Sequence, residues 1–584
     1  MRELVSMLMM MSLAAPPAWP RASAQRPASP KGSQSGSASG SKGIVVSGKA
    51  AATAAGVEIL ERGGNAADVG AATLLALAVT SVGAFCVGGE VPILVYTASN
   101  QSVRVLSGQG GAPRDHAAIE WYLKHGIPDG EVKAAAVPAT IDAIVTLLRM
   151  YGTKSFEEAV QPTLKILDAG GPTWFIDTGS REKIETGVHW QANLAATFRK
   201  LVDAERSGTG SREQRLQAVA DRFYRGDIAD ALESWYREKG GFLSKSDLAV
   251  HKTRVEDPVH VNYKGYTVFK CGPWTQGPSM LEMLRLLEGF DLKKMGFESP
   301  DYIHVVTEAM KLAFADRDEY YGDPEFAQVP LQALLSDEYT KIRRPLIDMK
   351  KASLELRPGD PYQMWSVKPA HRTATAQGGT TNMCVTDRWG NVVTATPSGL
   401  SSTAGVAGKA GIIHGARLTS FNTWKGHPNV IAPGKRPRVT LTPTLVLKDG
   451  KPVMAIAVAG GDMQEQAAVQ LILEYVDFGM SAEQAFHSPR FSTNHFVSSF
   501  GQEKARLGSL QVPSTLSAAA QEQLENRGHA LTTGRDLVGG VALLVLDATS
   551  GNAVGVGSSA EHAREITRSR RLCVAKTRSQ RQRR

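Results

Sequence analysis

The sequence predicts a layered α+β fold, with helices covering strands, on three observations. Helical apolar spacing dominates the first two thirds of the chain. Short strands of apolar and β-branched residues appear abruptly after Gly378. Helical patterns then return behind those strands, an alternation that suits a layered α+β or αββα architecture.

The elements follow in chain order. From Gly48, GKAAATAAGVEILERGGNAADVGAATLLALAV carries two helical patterns separated by Gly63-Gly64, and Asn65 is placed to cap the second. Further helices are expected at 156–169, 279–290 and 302–316. Strands are expected at 382–386, 391–396, 443–447, 453–458 and 540–546, and Asp387 to Asn391 has the Asp and Gly of a tight hairpin connection. Helices close the pattern at 464–478 and 516–526. No repeat of 20–50 residues is visible.

Composition narrows the function classes. The chain has 584 residues, 42% hydrophobic and 21% charged, and no interior run approaches the ~20 apolar residues of a membrane span. At the N-terminus, VSMLMMMSLAAPPAW follows Arg2, and Ala22-Ser23-Ala24 offers a small-x-small cleavage site before Gln25. That is the layout of a secretory signal peptide over 1–24, and it predicts an exported protein, periplasmic or secreted. Residues 25–43 lack apolar periodicity and read as a flexible linker.

The net charge of +9 resides largely in 564–584, which hold nine Lys/Arg against one Glu. This basic tail reads as solvated and disordered, and without aromatic interleaving it gives no reason to expect nucleic-acid binding. Cys86, Cys271, Cys384 and Cys573 are scattered, with no CxxC pair. The thirteen histidines show no HExxH-like spacing, so no metal is expected. A single disulfide stays open for an exported protein.

One stretch carries chemistry. In QGGTTNMCVTDRWGNVVTATPSG, Gly378-Gly379-Thr380-Thr381 stands directly before the expected hairpin. A threonine hydroxyl needs a base, and its own α-amine, with a pKa near ~7.7–8.0, can be that base once the chain is cut before it. Gly379 leaves the preceding carbonyl open to attack by the Thr380 hydroxyl. A second stretch, VMAIAVAGGDMQEQ, ends a strand in Ala459-Gly460-Gly461 and starts a helix near Asp462. Glycines there can expose backbone N–H groups as an oxyanion hole. Asp462 and Glu465 also suit the helix N-terminus.

Together these residues resemble the γ-glutamyltransferase family of N-terminal-nucleophile hydrolases. The resemblance runs through GGNAADVGAATLLAL, CVGGEVPILVY, GPWTQGPSMLEMLRLLEGFDL, GGTTNMCVTDRWGNVVTATPSG, KRPRVTLTPTLVLKDGKP, AGGDMQEQ and SPRF, in family order across about 43–560. It implies a four-layer αββα sandwich and a proenzyme that cuts itself between Gly379 and Thr380. The large chain, 44–379, and the small catalytic chain, 380–563, then remain co-folded as a heterodimer, with no cofactor or metal. It also implies Thr380 as nucleophile, Ser398 as the hydroxyl beside its amine, and Gly460 and Gly461 as oxyanion-hole glycines.

The acyl pocket departs from the family. The arginine that holds a glutamate carboxylate falls on Ala118, with Arg114 nearby in another register. The groups that hold the α-ammonium fall on Leu400, Arg417 and Ser420, and the serine pair on Val439 and Thr440. An ammonium pocket needs acceptors and negative charge, and these changes remove them. The expectation is therefore a small-molecule amide whose acyl group lacks a free ammonium, with a carboxylate of that group meeting Arg417, and hydrolysis rather than transfer. Two alternatives stand beside it: a true γ-glutamyltransferase or glutathione hydrolase acting on γ-glutamyl substrates, and a catalytically silent envelope binding protein.

Overall fold

The computed structural model describes residues 36–171, 190–369, 380–399, 403–500, 504–534, 540–547 and 549–562. The expected signal peptide, the basic tail, Cys573, Gly379 and Leu400 lie outside the described residues.

Two seven-stranded sheets form the centre. Edge to edge, the first runs Gly36–Gly40, Ala553–Gly557, Val541–Leu546, Lys451–Val458, Thr444–Lys448, Tyr266–Lys270 and Val259–Tyr263. The second runs Ser559–His562, Gly43–Ser47, Met383–Asp387, Val392–Ala395, Val91–Thr97, Ser102–Gly108 and Arg254–Glu256. Their ladders are antiparallel.

The inner faces meet through Val46, Leu94, Cys384 and Val392 from one sheet and Ala455, Ala457, Ala542 and Leu544 from the other. Small residues on the facing side let the sheets approach closely enough for Cys384 Sγ to reach Ala542 O (3.4 Å). Helices Ala50–Glu61, Ala66–Thr80 and Thr140–Tyr151 join the strands of the second sheet in one apolar core. Helices Gly277–Leu287, Pro300–Tyr320 and Met463–Val476 do the same for the first. The result is the αββα sandwich, and it explains why strand Met383–Asp387 is buried along its whole length rather than on alternate residues.

Local sequence signals are realised. Asn65 Oδ1 accepts from Ala67 N and Asp68 N (3.0 and 3.1 Å), capping the buried helix that follows. Asp387 Oδ1 accepts from Trp389 N and Asn391 N, closing the hairpin, and its Oδ2 accepts from Ala66 N (2.8 Å).

One expectation is corrected. The linker read over 25–43 is not flexible throughout, because Gly36–Gly40 is an edge strand paired with Ala553–Gly557. A ladder of backbone hydrogen bonds needs no apolar periodicity, so GSASG gave no strand signal.

Each sheet mixes strands from before and after Thr380. Gly43–Ser47 pairs with Met383–Asp387, and Tyr266–Lys270 pairs with Thr444–Lys448. Cutting the backbone at Thr380 leaves all these ladders intact.

Candidate active site

Thr380 stands where strand Met383–Asp387 begins. The hairpin register, Met383 opposite Ala395, continues to a hydrogen bond from Thr381 N to Pro397 O (3.0 Å), which sets Thr380 across from Ser398. Thr380 is half-buried and Ser398 fully buried.

Ser398 is locked by the Gly88-Gly89-Glu90 turn. Ser398 N donates to Glu90 O (3.0 Å), and Glu90 N donates to Ser398 O (2.9 Å). A Cβ on Gly89 would stand 2.2 Å from Ser398 O, so only glycine fits.

Arg417 closes the other side, from the 3-10 turn Arg417–Ser420. Its Nε donates to Glu90 Oε1 (2.6 Å), Nη2 to Ser398 Oγ (2.8 Å) and Nη1 to Ser420 Oγ (3.1 Å). Arg417 and Glu90 are both buried and form an ion pair. Burial pushes the Glu90 carboxyl above its ordinary range, against the pull of Arg417.

This corrects the expectation of Arg417 as an open anion receptor. Its charge is compensated by Glu90, a residue that the sequence reading had not assigned to the site. The missed signal was the acidic residue directly after Gly88-Gly89.

The second loop meets the first through Gly540, whose carbonyl accepts from Ala459 N (2.8 Å) and Asn382 Nδ2 (2.6 Å). Strand Lys451–Val458 ends there, and the chain turns into helix Met463–Val476 through Gly460 (φ 132°) and Gly461 (φ 61°). Both angles favour glycine. Among the described residues neither glycine's N–H donates to a protein acceptor, so both are available to a ligand oxygen.

Buried ion pairs hold this loop from behind. Arg317 donates to Asp462 Oδ1 (2.5 Å), Gln276 Oε1 (2.7 Å), Val497 O (2.8 Å) and Asp318 Oδ1 (3.0 Å). Gln276 Nε2 donates to Gly461 O (3.2 Å), and Asp462 also accepts from Ser499 N and Oγ. One turn on, Glu465 meets Lys270 (2.9 Å) with both side chains fully buried, and burial pushes Glu465 up to about 7. Asp462 and Glu465 are thus anchors of the glycine loop.

The remaining expected pocket residues divide. Ser420 is buried, holds Arg417, and borders a narrow cavity of about 30 Å³ lined also by Asp318, Asn429, Arg438 and Ser499. Thr440 is buried against Gln464, whose amide nitrogen donates to Thr440 O (3.0 Å) and Val458 O (3.1 Å). Arg114 is exposed. Its N–H donates to Asp247 Oδ1 (2.9 Å) and its guanidinium packs over Gly434, with no contact to Arg417 or Ser420 among the described residues.

Elsewhere, His304 Nδ1, His529 Nε2 and a Glu308 oxygen lie within 4.8 Å of one another. The two rings already bond each other (2.8 Å), and Glu308 already pairs with Lys311 and Arg357. Two cations beside the carboxylate oppose a third, so the cluster does not fit a divalent ion. Cys86, Cys271 and Cys384 are buried free thiols.

A strand-initial threonine, a buried serine across from it and a free pair of glycine N–H groups, set on an αββα sandwich, define an N-terminal-nucleophile amidohydrolase or acyltransferase. The family model for gamma-glutamyltranspeptidase matches residues 52–565, and the chain belongs to that family.

Relatives include the glutathione hydrolase proenzymes of Bacillus subtilis (strain 168), 29% identical over 90% of this chain and 92% of the relative, and of Escherichia coli (strain K12), 32% identical over 77% and 80%. The acylase ACY 1 proenzyme of Pseudomonas sp. (strain SE83) is 29% identical over 86% and 90%. Among solved structures, LmbA2991HD superposes with TM-score 0.81 at 32% identity, covering 91% of this chain and all of that one. The cephalosporin acylase from Bacillus halodurans gives TM-score 0.77 at 26% identity, covering 91% and 97%.

Proposed function

We propose that this chain is an exported proenzyme that cuts itself between Gly379 and Thr380 and then hydrolyses a small-molecule amide through a Thr380 acyl-enzyme. The α-amine released at Thr380 removes the proton from its own hydroxyl, the hydroxyl attacks the amide carbonyl, and Gly460 and Gly461 N–H groups receive the oxyanion. Collapse of this intermediate breaks the amide C–N bond, the protonated α-amine returns its proton to the departing amine, and water then attacks the ester, releasing the carboxylic acid and regenerating Thr380. Large chain 44–379 and small chain 380–563 stay together because both sheets interleave their strands.

The acyl group is one without a free α-ammonium. The observation that carries this is the buried Arg417 guanidinium donating to Ser398 Oγ, opposite Thr380. Guanidinium and ammonium groups only donate hydrogen bonds, so a substrate ammonium desolvated beside it finds no acceptor there, whereas a carbonyl, hydroxyl or carboxylate oxygen can accept. Because Glu90 already compensates Arg417, a polar neutral acyl group is served as well as a dicarboxylic one. The relatives named as acylases fit this reading, and those named as glutathione hydrolases fit the γ-glutamyl alternative.

The test compares γ-glutamyl, glutaryl, succinyl and neutral hydroxyacyl anilides on purified, processed protein. Faster turnover of the ammonium-free donors is expected, and a preference for the γ-glutamyl anilide would overturn the assignment of the acyl pocket. Thr380→Ala is expected to leave a single uncut chain with no turnover, read by intact mass and N-terminal sequencing. A processed, active Thr380→Ala protein would remove the mechanism.

A further inference from the structure

We propose that the cavity beyond Ser420 is the distal end of the acyl pocket, where Arg438 receives an oxygen acceptor, carbonyl or carboxylate, at the far end of the acyl group. The inference rests on the reading that places the acyl group beside Arg417, and it names what that group ends in.

Hydrogen bonds on two walls place the cavity. Ser420 Oγ accepts from Arg417 Nη1 (3.1 Å), and Arg417 Nη2 donates to Ser398 Oγ (2.8 Å), opposite Thr380. On the other wall, Ser499 N and Oγ donate to Asp462, which directly follows Gly461. Ser420 and Ser499 both line the cavity, so it abuts the Arg417 turn and the glycine loop at once. Its volume is about 30 Å³, where one water needs ~10–15 Å³. That suits the end of a chain rather than a whole molecule.

Arg438 is the donor in that space. It is 5% exposed, and its backbone N–H donates to Asn429 Oδ1 (2.7 Å). A guanidinium carries five N–H groups and no acceptor. Nη2 donates to Ser499 Oγ (2.9 Å), and Nη1 reaches Asp318 Oδ1 only at 3.3 Å. Nε is buried with no partner among the described residues. Asp318 is shared, because it also pairs with Arg317 (2.9 Å).

Burial and the neighbouring Arg317 bring the Arg438 guanidinium down to about 10. A buried donor set with that shortfall gains from an acceptor brought to it. The other acidic group on the lining, Glu319, meets Lys368 (2.6 Å). Among the described residues, Arg438 is the one Lys or Arg that lines the cavity.

The experiment measures kcat and KM of processed enzyme on pentanoyl, glutaramoyl and glutaryl anilides, which share a five-carbon acyl chain and differ at its end. The parent is expected to favour at least one acceptor-ended donor over pentanoyl by about tenfold or more in kcat/KM. Arg438→Met is expected to erase most of that preference through KM, with kcat on the same donor changed far less.

A preference that survives Arg438→Met belongs to another residue, Arg417 first, and overturns the proposal. So does a parent that turns over the pentanoyl anilide equally well. Where Arg438→Met fails to fold, Ala315→Leu takes its place, filling the cavity from helix Pro300–Tyr320 without removing a charge. An unchanged preference in that variant is equally fatal. If the γ-glutamyl anilide outruns all three donors, the ammonium-free reading itself has failed and this inference falls with it, a result distinct from the others.

Discussion

Arg317→Leu tests whether the ion pairs behind the glycine loop serve catalysis as well as stability. Arg317 is fully buried and its departure strips one partner from Asp462, Gln276, Val497 O and Asp318. Breaking a buried pair by removing one member costs about 3–5 kcal/mol. Asp318 keeps Arg438 (3.3 Å), and Asp462 keeps the Ser499 N–H and hydroxyl, so the lower half of that range is expected.

Unfolding entropy of about 2.1 cal/mol/K per residue, over roughly 500 ordered residues, makes about 1 kcal/mol per degree, so Tm should fall by only ~3–4 °C. Catalysis should suffer more. Asp462 leads into the helix directly after Gly461, and Gln276, held by Arg317, fixes the Gly461 carbonyl. Letting that carbonyl turn misaims the N–H groups, and one lost oxyanion donor lowers kcat by ~10²–10³-fold with KM changed far less.

The pH dependence has a defined sign. Burial holds the Asp318 carboxyl above its ordinary range despite Arg317 and Arg438. The folded chain thus binds that proton more tightly than the unfolded chain, and the associated stability is present at low pH and lost as pH rises through the folded value. Removing Arg317 raises it further, so the Tm deficit should narrow toward pH 5. Scanning calorimetry and steady-state kinetics on processed enzyme read both. A lower Tm with unchanged kcat would refute the positioning argument, and a pH-independent deficit would refute the electrostatic one.

Two further outcomes are expected. Gly461→Ala places a Cβ 2.9 Å from Phe500 Cε2 at φ 61°, a conformation costing about 1–2 kcal/mol for a residue with a side chain. Its Tm should fall by ~1–2 °C while kcat falls at least tenfold, and equal kinetics would count against the loop as oxyanion hole. Lys270→Met leaves Glu465 buried alone, raising a carboxyl already near 7. Its Tm should drop by ~3–5 °C at pH 8.5 and by visibly less at pH 5.5, where protonation relieves the charge, and a deficit equal at both pH values would contradict that.

The fold was legible because its signals are local. The Asn65 cap, the Asp387–Asn391 hairpin and the strand-to-helix turn at Gly460-Gly461 are each written within a few residues of chain, where backbone preference and apolar period act directly. Thr380, proposed as the nucleophile, and its glycine neighbours are local in the same sense.

What the sequence could not decide was how charges far apart in the chain pair. Arg417 read alone is a receptor for anions, but 327 residues earlier Glu90 is folded against it and turns it into half of a neutral unit. Arg114, close in sequence to the expected pocket position, is carried to the surface instead. Gly36–Gly40 has no apolar pattern and becomes a strand only because Ala553–Gly557 presents a free edge to it. Backbone geometry is set by neighbours in the chain, whereas the charge of a buried site is set by neighbours in space, and only the tertiary structure brings those together.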